Sequence, residues 1–306
     1  MDIVILGAGA LGSVLGGLMA RADIPVTLLD VNQAHIDAIN ETGLRLDLDE
    51  ESNTWKIPAM RPEDYTGHAD LIILLTKTMH TATALQSVER LITGGAHVLT
   101  IQNGLGNADR VAEYVPDDNI LEGSTMIPAD LKGPGHASTH AGMATTFKAV
   151  TSRGRPFAEK LAELMAPVHF VLDDQADVVI WQKAAFNCAL NTISALCGAR
   201  VGDIANEPSA VVLAKAAADE VVDVANAKGI AAMMDAVHAK IDEALAHHKP
   251  HKPSMLQDVE AGRPTEIEAL CGMVEREATA YDVHAPINKA LAALIRLKES
   301  AAKAEW

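Results

Sequence analysis

Positive charge is scarce in this 306-residue chain: 25 lysines and arginines stand against 41 aspartates and glutamates, for a formal net charge of −16. So acidic a surface repels a phosphate backbone, and no nucleic acid is expected as a partner. Long apolar runs are missing too; none reaches the roughly 18 residues of a membrane span, so no membrane partner is expected. Met1 and Asp2 lead straight into an apolar run without the basic n-region of a secretory leader, which points to a cytoplasmic protein. Cysteine is limited to Cys188, Cys197 and Cys271, an odd number without C-x-x-C spacing, each set in apolar sequence. They read as small core residues of a reducing compartment, with no disulfide and no zinc expected. The cluster His247–Pro253 offers rings and ammonium groups, but its two prolines make it a solvated turn between helices rather than a metal site.

What the chain does contain begins at once. Ile3-Val4-Ile5-Leu6 is an apolar run, Gly7-Ala8-Gly9-Ala10-Leu11-Gly12 is Gly-x-Gly-x-x-Gly, and an amphipathic stretch runs from Ser13 to Ala22. That order is strand, glycine turn, helix. Gly7 permits the turn, Gly9 lets a pyrophosphate approach the backbone, and Gly12 allows helix and strand to pack closely; the N–H groups at the helix start face the phosphates. A second apolar run, Val26-Thr27-Leu28-Leu29, ends at Asp30, where an acid can accept from an adenosine ribose 2′-OH. A dinucleotide is therefore the expected ligand; the alternative is a glycine-rich turn in another kind of α/β protein.

Along the first half, short β-branched runs alternate with helical patterns, the signature of a parallel sheet covered by helices. Further strands are expected at 71–75, 96–101 and 119–123, with helices around 81–91 and 108–114. Alternation between 135 and 150 suggests antiparallel strands added to the sheet edge. A helix from Arg155 through Met165 and a short strand at 169–172 follow, and from there the sequence is alanine-rich and helical to its end. We therefore expect a dinucleotide-binding domain over 1–172 and an all-helical substrate and catalytic domain over 173–306, each long enough for its own core. The alanine and methionine of the helical half point to a homodimer formed through it.

A dinucleotide site supplies no acid and no grip on a substrate. In the helical half, Lys183, Asn187 and Asn191 fall at i, i+4 and i+8 among apolar or small residues, one line along a helix. A buried polar line must be satisfied, because an unpaired buried amide costs roughly 1–3 kcal/mol; a polar pocket does this, and a solvated helix edge is the alternative. Pro253-Ser254-Met255-Leu256-Gln257-Asp258 and Gly262-Arg263-Pro264-Thr265-Glu266-Ile267-Glu268 form a second candidate region. Ser254 with Gln257 and Thr265 with Glu268 also fit capping boxes, which leaves one of Glu266 and Glu268 surplus to a cap.

Taken in order, these motifs resemble the ketopantoate reductase (2-dehydropantoate 2-reductase) family. Besides Gly7, Gly9 and Gly12 they include Thr76-Lys77, Gln102-Asn103-Gly104-Leu105-Gly106, Trp181-x-Lys183 with Asn187 and Asn191, and the run from Ser254 to Ile267. The resemblance covers essentially the whole chain. It implies a Rossmann-type doubly wound α/β domain followed by a helical domain, with the active site in the cleft between them. It also implies that Lys183 is the general acid that protonates the C2 oxygen, and that Glu266 orients Lys183 and the substrate hydroxyl. Asn103, Asn187, Asn191 and Ser254 would hold the substrate, Asn103 also meeting the nicotinamide ribose. The cofactor would lie on Gly7, Ala8, Gly9, Ala10, Leu11, Gly12 and Asp30, with Lys77 adding positive potential unless it is simply a solvent lysine.

Two departures from the family stand out. A basic residue usually follows the second strand to meet the NADPH 2′-phosphate, whereas here Asp30 is followed by Val31-Asn32-Gln33-Ala34-His35, which implies NAD(H) rather than NADP(H). A further substrate-facing Asn often stands about ten residues past Asn191, where this chain has Gly198-Ala199-Arg200-Val201-Gly202. The expected function is thus NAD(P)H-dependent reduction of 2-dehydropantoate to pantoate, or of a similar 2-oxo acid. The alternatives are an NAD-dependent dehydrogenase of a related hydroxy acid and a non-catalytic dinucleotide sensor; the retained Lys183, Asn187, Asn191, Ser254 and Glu266 speak against the sensor.

Overall fold

In the computed structural model, which describes residues 1–303, the opening strand β1 (Ile3–Leu6) is buried at every position. A strand covered on both faces has no polar alternation, which is why its sequence is uniformly apolar. The chain continues through α1 (Ala10–Arg21), β2 (Thr27–Leu29) and α2 (Gln33–Thr42), then through β3 (Leu44–Leu48), β4 (Glu51–Trp55) and β5 (Ala59–Met60). A second fully buried strand, β6 (Leu71–Leu74), precedes α3 (Thr81–Ser87), α4 (Glu89–Thr93), β7 (His97–Thr100), α5 (Asn107–Ala112) and β8 (Ile120–Thr125). Strands β9 (Asp130–Gly133), β10 (His136–Thr139) and β11 (Thr145–Ala149) follow, then α6 (Arg155–Met165) and β12 (Phe170–Leu172).

The main sheet has the order β12-β11-β8-β7-β6-β1-β2-β5 and is parallel except where β11 runs against β8. From β1 the chain winds first towards β2 and later, on the other side, towards β6. This reversal is the topological switch point at which doubly wound sheets bind ligands, beyond the carboxyl ends of their strands.

The region 135–150 departs from expectation. Only β11 joins the main sheet; β10 pairs parallel with β3 and antiparallel with β9, in a separate sheet of order β4-β3-β10-β9. The reason is a small core of its own, in which Leu46 of β3 and Ala137 of β10 pack with Val14 of α1 and with Ile127.

From residue 177 onward the described residues contain helices and no strand: α7 (Ala176–Cys197), α8 (Val201–Ala205), α9 (Pro208–Ala227), α10 (Met234–His247), α11 (Ser254–Glu260), α12 (Cys271–Ala280) and α13 (Pro286–Lys303). Their core is rich in alanine, with Ala184, Ala185 and Ala189 of α7 and Ala214, Ala217 and Ala218 of α9 all buried; such short side chains let helices approach closely. Cys188 and Cys271 are buried as expected, but Cys197 is exposed, because it is the last residue of α7. The start of α13 is held by Glu220, whose carboxylate accepts from the Ile287 and Asn288 amides at 2.8 Å each. No described helix is long and apolar enough to cross a membrane.

The chain forms two compact units, residues 1–102 with 107–176 and residues 103–106 with 177 onward. The short segment Asn103–Gly106 thus groups with the helices, although it directly follows the β7 region in sequence.

Candidate active site

In the sheet unit, packing dictates two of the three fingerprint glycines. Gly7 has φ +102°, and a Cβ on it would lie 2.7 Å from the Thr76 nitrogen; on Gly12 it would lie 2.1 Å from the Gly7 oxygen. Gly9 is different, because a Cβ there meets nothing within 4 Å. No protein contact demands its bare backbone, so the open space suits a group that approaches from outside, as a pyrophosphate does. Ala8 precedes Gly9, and Ala10, Leu11 and Gly12 form the first turn of the helix that Gly9 caps, where backbone N–H groups have no intrahelical partner. These residues fit a dinucleotide.

Beyond β2, the Asp30 carboxylate accepts from the Asn32 amide at 2.8 Å, which fixes the acid at the carboxyl end of its strand. Sequence reading found no lysine or arginine in residues 31–35 and missed Arg61. Because β5 pairs in parallel with β2, Leu29 opposite Met60, Arg61 emerges beside Asp30, and its Nε donates to Gln33 Oε1 at 2.9 Å. Lys77 lies three residues past the end of β6 and is partly buried. The neighbouring loop is fastened by Gln102, whose Nε2 donates to the Thr76 carbonyl at 2.7 Å while its Oε1 accepts from Thr100 at 3.0 Å.

In the helical unit, the line predicted on α7 is buried rather than solvated: Asn187 and Asn191 are each 8 % exposed. Together with Asn103, Ser254 and Glu266 they line a small polar hollow. Asn191 Nδ2 donates to Ser254 Oγ at 3.3 Å. Lys183 sits one turn back along the same line. Part of its side chain is accessible, yet burial of the ammonium pushes its pKa down to about 8, against the opposing pull of the Glu266 charge. That charge comes from the wall of the hollow, which ties Lys183 to it.

The capping alternatives resolve in different ways. Ser254 is the first residue of α11 and Pro253 holds the cap position, so no serine capping box forms. Thr265 Oγ1 accepts from the Ile267 amide at 3.3 Å, while the Glu268 carboxylate is taken by Arg276 at 3.1 Å and Arg296 at 2.6 Å. Of the two acids, Glu268 is therefore the structural one, and Glu266 faces the hollow.

The stretch 198–202 places no amide side chain there. α7 ends at Cys197, Gly198 turns with φ +65°, and the Arg200 amide donates to Asp203 as α8 begins. Sequence reading placed Asp258 in the second candidate region but gave it no role; it is 6 % exposed, lines the hollow and accepts from Arg263 Nε at 3.0 Å. An acid and an arginine five residues apart across Gly262 were the available signal.

Known proteins resemble this chain along nearly its whole length. The family model described as ketopantoate reductase PanE/ApbA matches residues 3–152, and its C-terminal counterpart matches residues 176–299. The 2-dehydropantoate 2-reductase of Streptococcus pyogenes is 31 % identical over 303 residues, covering 98 % of each chain. Among solved structures, D-mandelate dehydrogenase with NADH and anilino(oxo)acetate superposes with a TM-score of 0.93 at 28 % identity, over 99 % of this chain and 100 % of the other. The 2-dehydropantoate 2-reductase of Geobacter metallireducens gives a TM-score of 0.90 at 26 % identity, over 97 % and 99 %.

Proposed function

The chain belongs to the ketopantoate reductase family of NAD(P)-dependent oxidoreductases, and from that premise we propose that it reduces 2-dehydropantoate, or a similar branched or hydroxylated 2-oxo acid, with NADH. The arrangement that carries this reading is Lys183, on the same α7 line as Asn187 and Asn191 and under the charge of Glu266 from the wall of the polar hollow, with burial pushing its ammonium pKa down to about 8. Such a group is largely protonated at neutral pH, yet it is acid enough to release its proton to a developing alkoxide.

A bound nicotinamide supplies the hydride. As the ketone carbon accepts it, Lys183 passes a proton from Nζ to the carbonyl oxygen and later recovers one from solvent. Glu266 opposes loss of the ammonium's charge and orients it towards the hydroxyl that forms. The amides Asn103, Asn187 and Asn191, with the Ser254 hydroxyl, offer donors to the substrate carboxylate and hydroxyl groups and so fix which carbonyl face is presented. Gly7, Ala8, Gly9, Ala10, Leu11 and Gly12 hold the pyrophosphate, Asp30 the adenosine ribose, and Lys77 adds positive potential at the same sheet edge.

A second reading, NAD-dependent oxidation of a D-2-hydroxy acid, is favoured by one specific pairing. Asp30, at the carboxyl end of β2, would repel a 2′-phosphate, and the fold matches D-mandelate dehydrogenase with NADH over nearly its full length. The same residues serve in reverse, with neutral Lys183 taking the proton. We further propose that the protein is cytoplasmic and works as a homodimer through its helical unit, where Val212, Leu213, Leu294 and Leu297 are exposed.

The deciding experiment follows absorbance at 340 nm with NADH and with NADPH over a panel of 2-oxo acids, and with NAD⁺ over the matching hydroxy acids. Turnover of 2-dehydropantoate above every other acid supports the first reading. Preference for an aromatic D-hydroxy acid replaces it with the second, and binding of dinucleotide without any turnover replaces both with a sensor.

A further inference from the structure

His35 on α2 is 2 % exposed, and a hydrogen-bonded chain runs through its ring. The Gly135 amide donates to His35 Nδ1 at 3.0 Å, His35 Nε2 meets Ser13 Oγ at 3.0 Å, and the Ser13 hydroxyl donates to the Ala8 carbonyl at 2.8 Å. The polarity of the chain is fixed at both ends. An amide can only donate and a carbonyl can only accept, so Nδ1 is the acceptor, Nε2 carries the hydrogen, and the serine receives from the ring while giving to Ala8.

Both ends of the chain matter. Gly135 belongs to the turn between β9 and β10 of the small sheet, where its carbonyl also accepts from the Arg45 amide at 2.8 Å. Ala8 is the middle of Gly7-Ala8-Gly9. In a planar trans peptide the C=O and the following N–H point in opposite directions. Holding the Ala8 oxygen inward on Ser13 therefore turns the Gly9 N–H outward, and Gly9 is the residue whose missing Cβ leaves open space.

We propose that His35 is a positioning residue for the dinucleotide: through Ser13 it sets the Ala8–Gly9 peptide and so aims the Gly9 N–H at the pyrophosphate, coupling cofactor binding to the small sheet. The proposal rests on the dinucleotide reading of the glycine loop. The ring must be neutral for this, since a proton on Nδ1 would face the Gly135 N–H donor to donor. Burial lowers the His35 pKa below the usual 6.5 and outweighs Asp30, the charged side chain whose field pulls the other way, together with the Ala8 carbonyl. The bonded form is thus fully present above pH 6.5 and is lost as the pH falls through the lowered value.

The test is calorimetric titration with NAD⁺ at pH 8 and at a series of lower pH values down to the acid limit of the folded chain, on wild type, His35→Gln, His35→Leu and Ser13→Ala. A glutamine amide can accept from Gly135 and donate to Ser13 at nearly the ring's spacing, and it does not titrate. The expected result at pH 8 is a Kd raised about 5- to 20-fold by His35→Leu and by Ser13→Ala, with His35→Gln within about twofold of wild type. As the pH falls from 6.5 through the lowered His35 value, the wild-type Kd should rise while that of His35→Gln stays flat. A purely structural histidine would lower the Tm of the ligand-free variants without changing this pH slope. Should His35→Leu fail to fold by circular dichroism, Ser13→Ala carries the comparison. Wild-type affinity in the Leu and Ala variants, or His35→Gln as weak as His35→Leu, overturns the proposal alone. A wild-type chain that binds neither NAD⁺ nor NADP⁺ overturns the dinucleotide reading and the proposal with it.

Discussion

The Leu105 amide donates to the Ala269 carbonyl at 2.7 Å, a bond that docks the Asn103–Gly106 segment onto the 3₁₀ turn Ile267–Ala269, next to Glu266. Gly104 makes the approach possible, since it has φ +91° and a Cβ on it would lie 2.5 Å from the Ala269 oxygen. Gly104→Ala should therefore displace Asn103 from the hollow. We expect kcat/KM for the 2-oxo acid to fall about tenfold or more, with NADH affinity within a few-fold of wild type, as read by steady-state kinetics beside fluorescence titration.

Lys183 predicts a pH profile with a definite sign. With a pKa near 8, reduction needs the protonated form, so kcat/KM should be level below pH 8 and fall about tenfold per unit above it; oxidation should show the opposite limb. Lys183→Ala should lower kcat by roughly 10²-fold and abolish that step. Glu266→Ala should raise KM and lower kcat, and the double variant should lose less than the sum of the two, because the pair acts as one unit. A Lys183→Ala enzyme within a few-fold of wild type would place the acid elsewhere.

Cofactor choice should follow from the acid at the end of β2. We expect NADH to be favoured over NADPH by about tenfold, corresponding to 1.4 kcal/mol. Asp30→Ala should narrow the gap, and Arg61→Ala should widen it by removing the cation that β5 sets beside Asp30. Both are measured as the ratio of kcat/KM for the two dinucleotides, and a wild-type preference for NADPH would strip Asp30 of this role.

Stability of the helical unit should depend on Glu220, which takes the Ile287 and Asn288 amides and the Asn288 side chain at 2.8 Å each while only 8 % exposed. Glu220→Ala leaves these buried donors without their acceptor, a loss of about 2–4 kcal/mol that chemical denaturation would read.

The glycine fingerprint, the main sheet and the helical half were legible because each repeats a local pattern: uniform apolar runs in β1 and β6, and a polar line at i, i+4 and i+8 on α7. The small sheet was not. β4 is Glu-Ser-Asn-Thr-Trp with four exposed residues, so it lacks the alternation that betrays a half-buried strand, and the partner of β10 lies some ninety positions earlier in β3. A shorter separation, 31 residues between Leu29 and Met60, likewise hid Arg61, whose meaning comes from the pairing of β5 with β2. Ser254 was ambiguous because a capping hydroxyl and a pocket hydroxyl share one local sequence; the Asn191 amide, 63 residues away, separates them.

The assignment of residues 103–106 to the helical unit bears on how such a protein can be inherited and dissected. A gene fragment beginning at residue 177 would encode every helix from α8 onward and nearly all of α7, yet would lack Asn103 from the wall of its own hollow. The two units are therefore not interchangeable cassettes. Recombination at the junction near residue 176 would join a helical half to a loop that evolved beside another partner, so mismatches at Asn103–Gly106 should be purged and the two halves transmitted as one block.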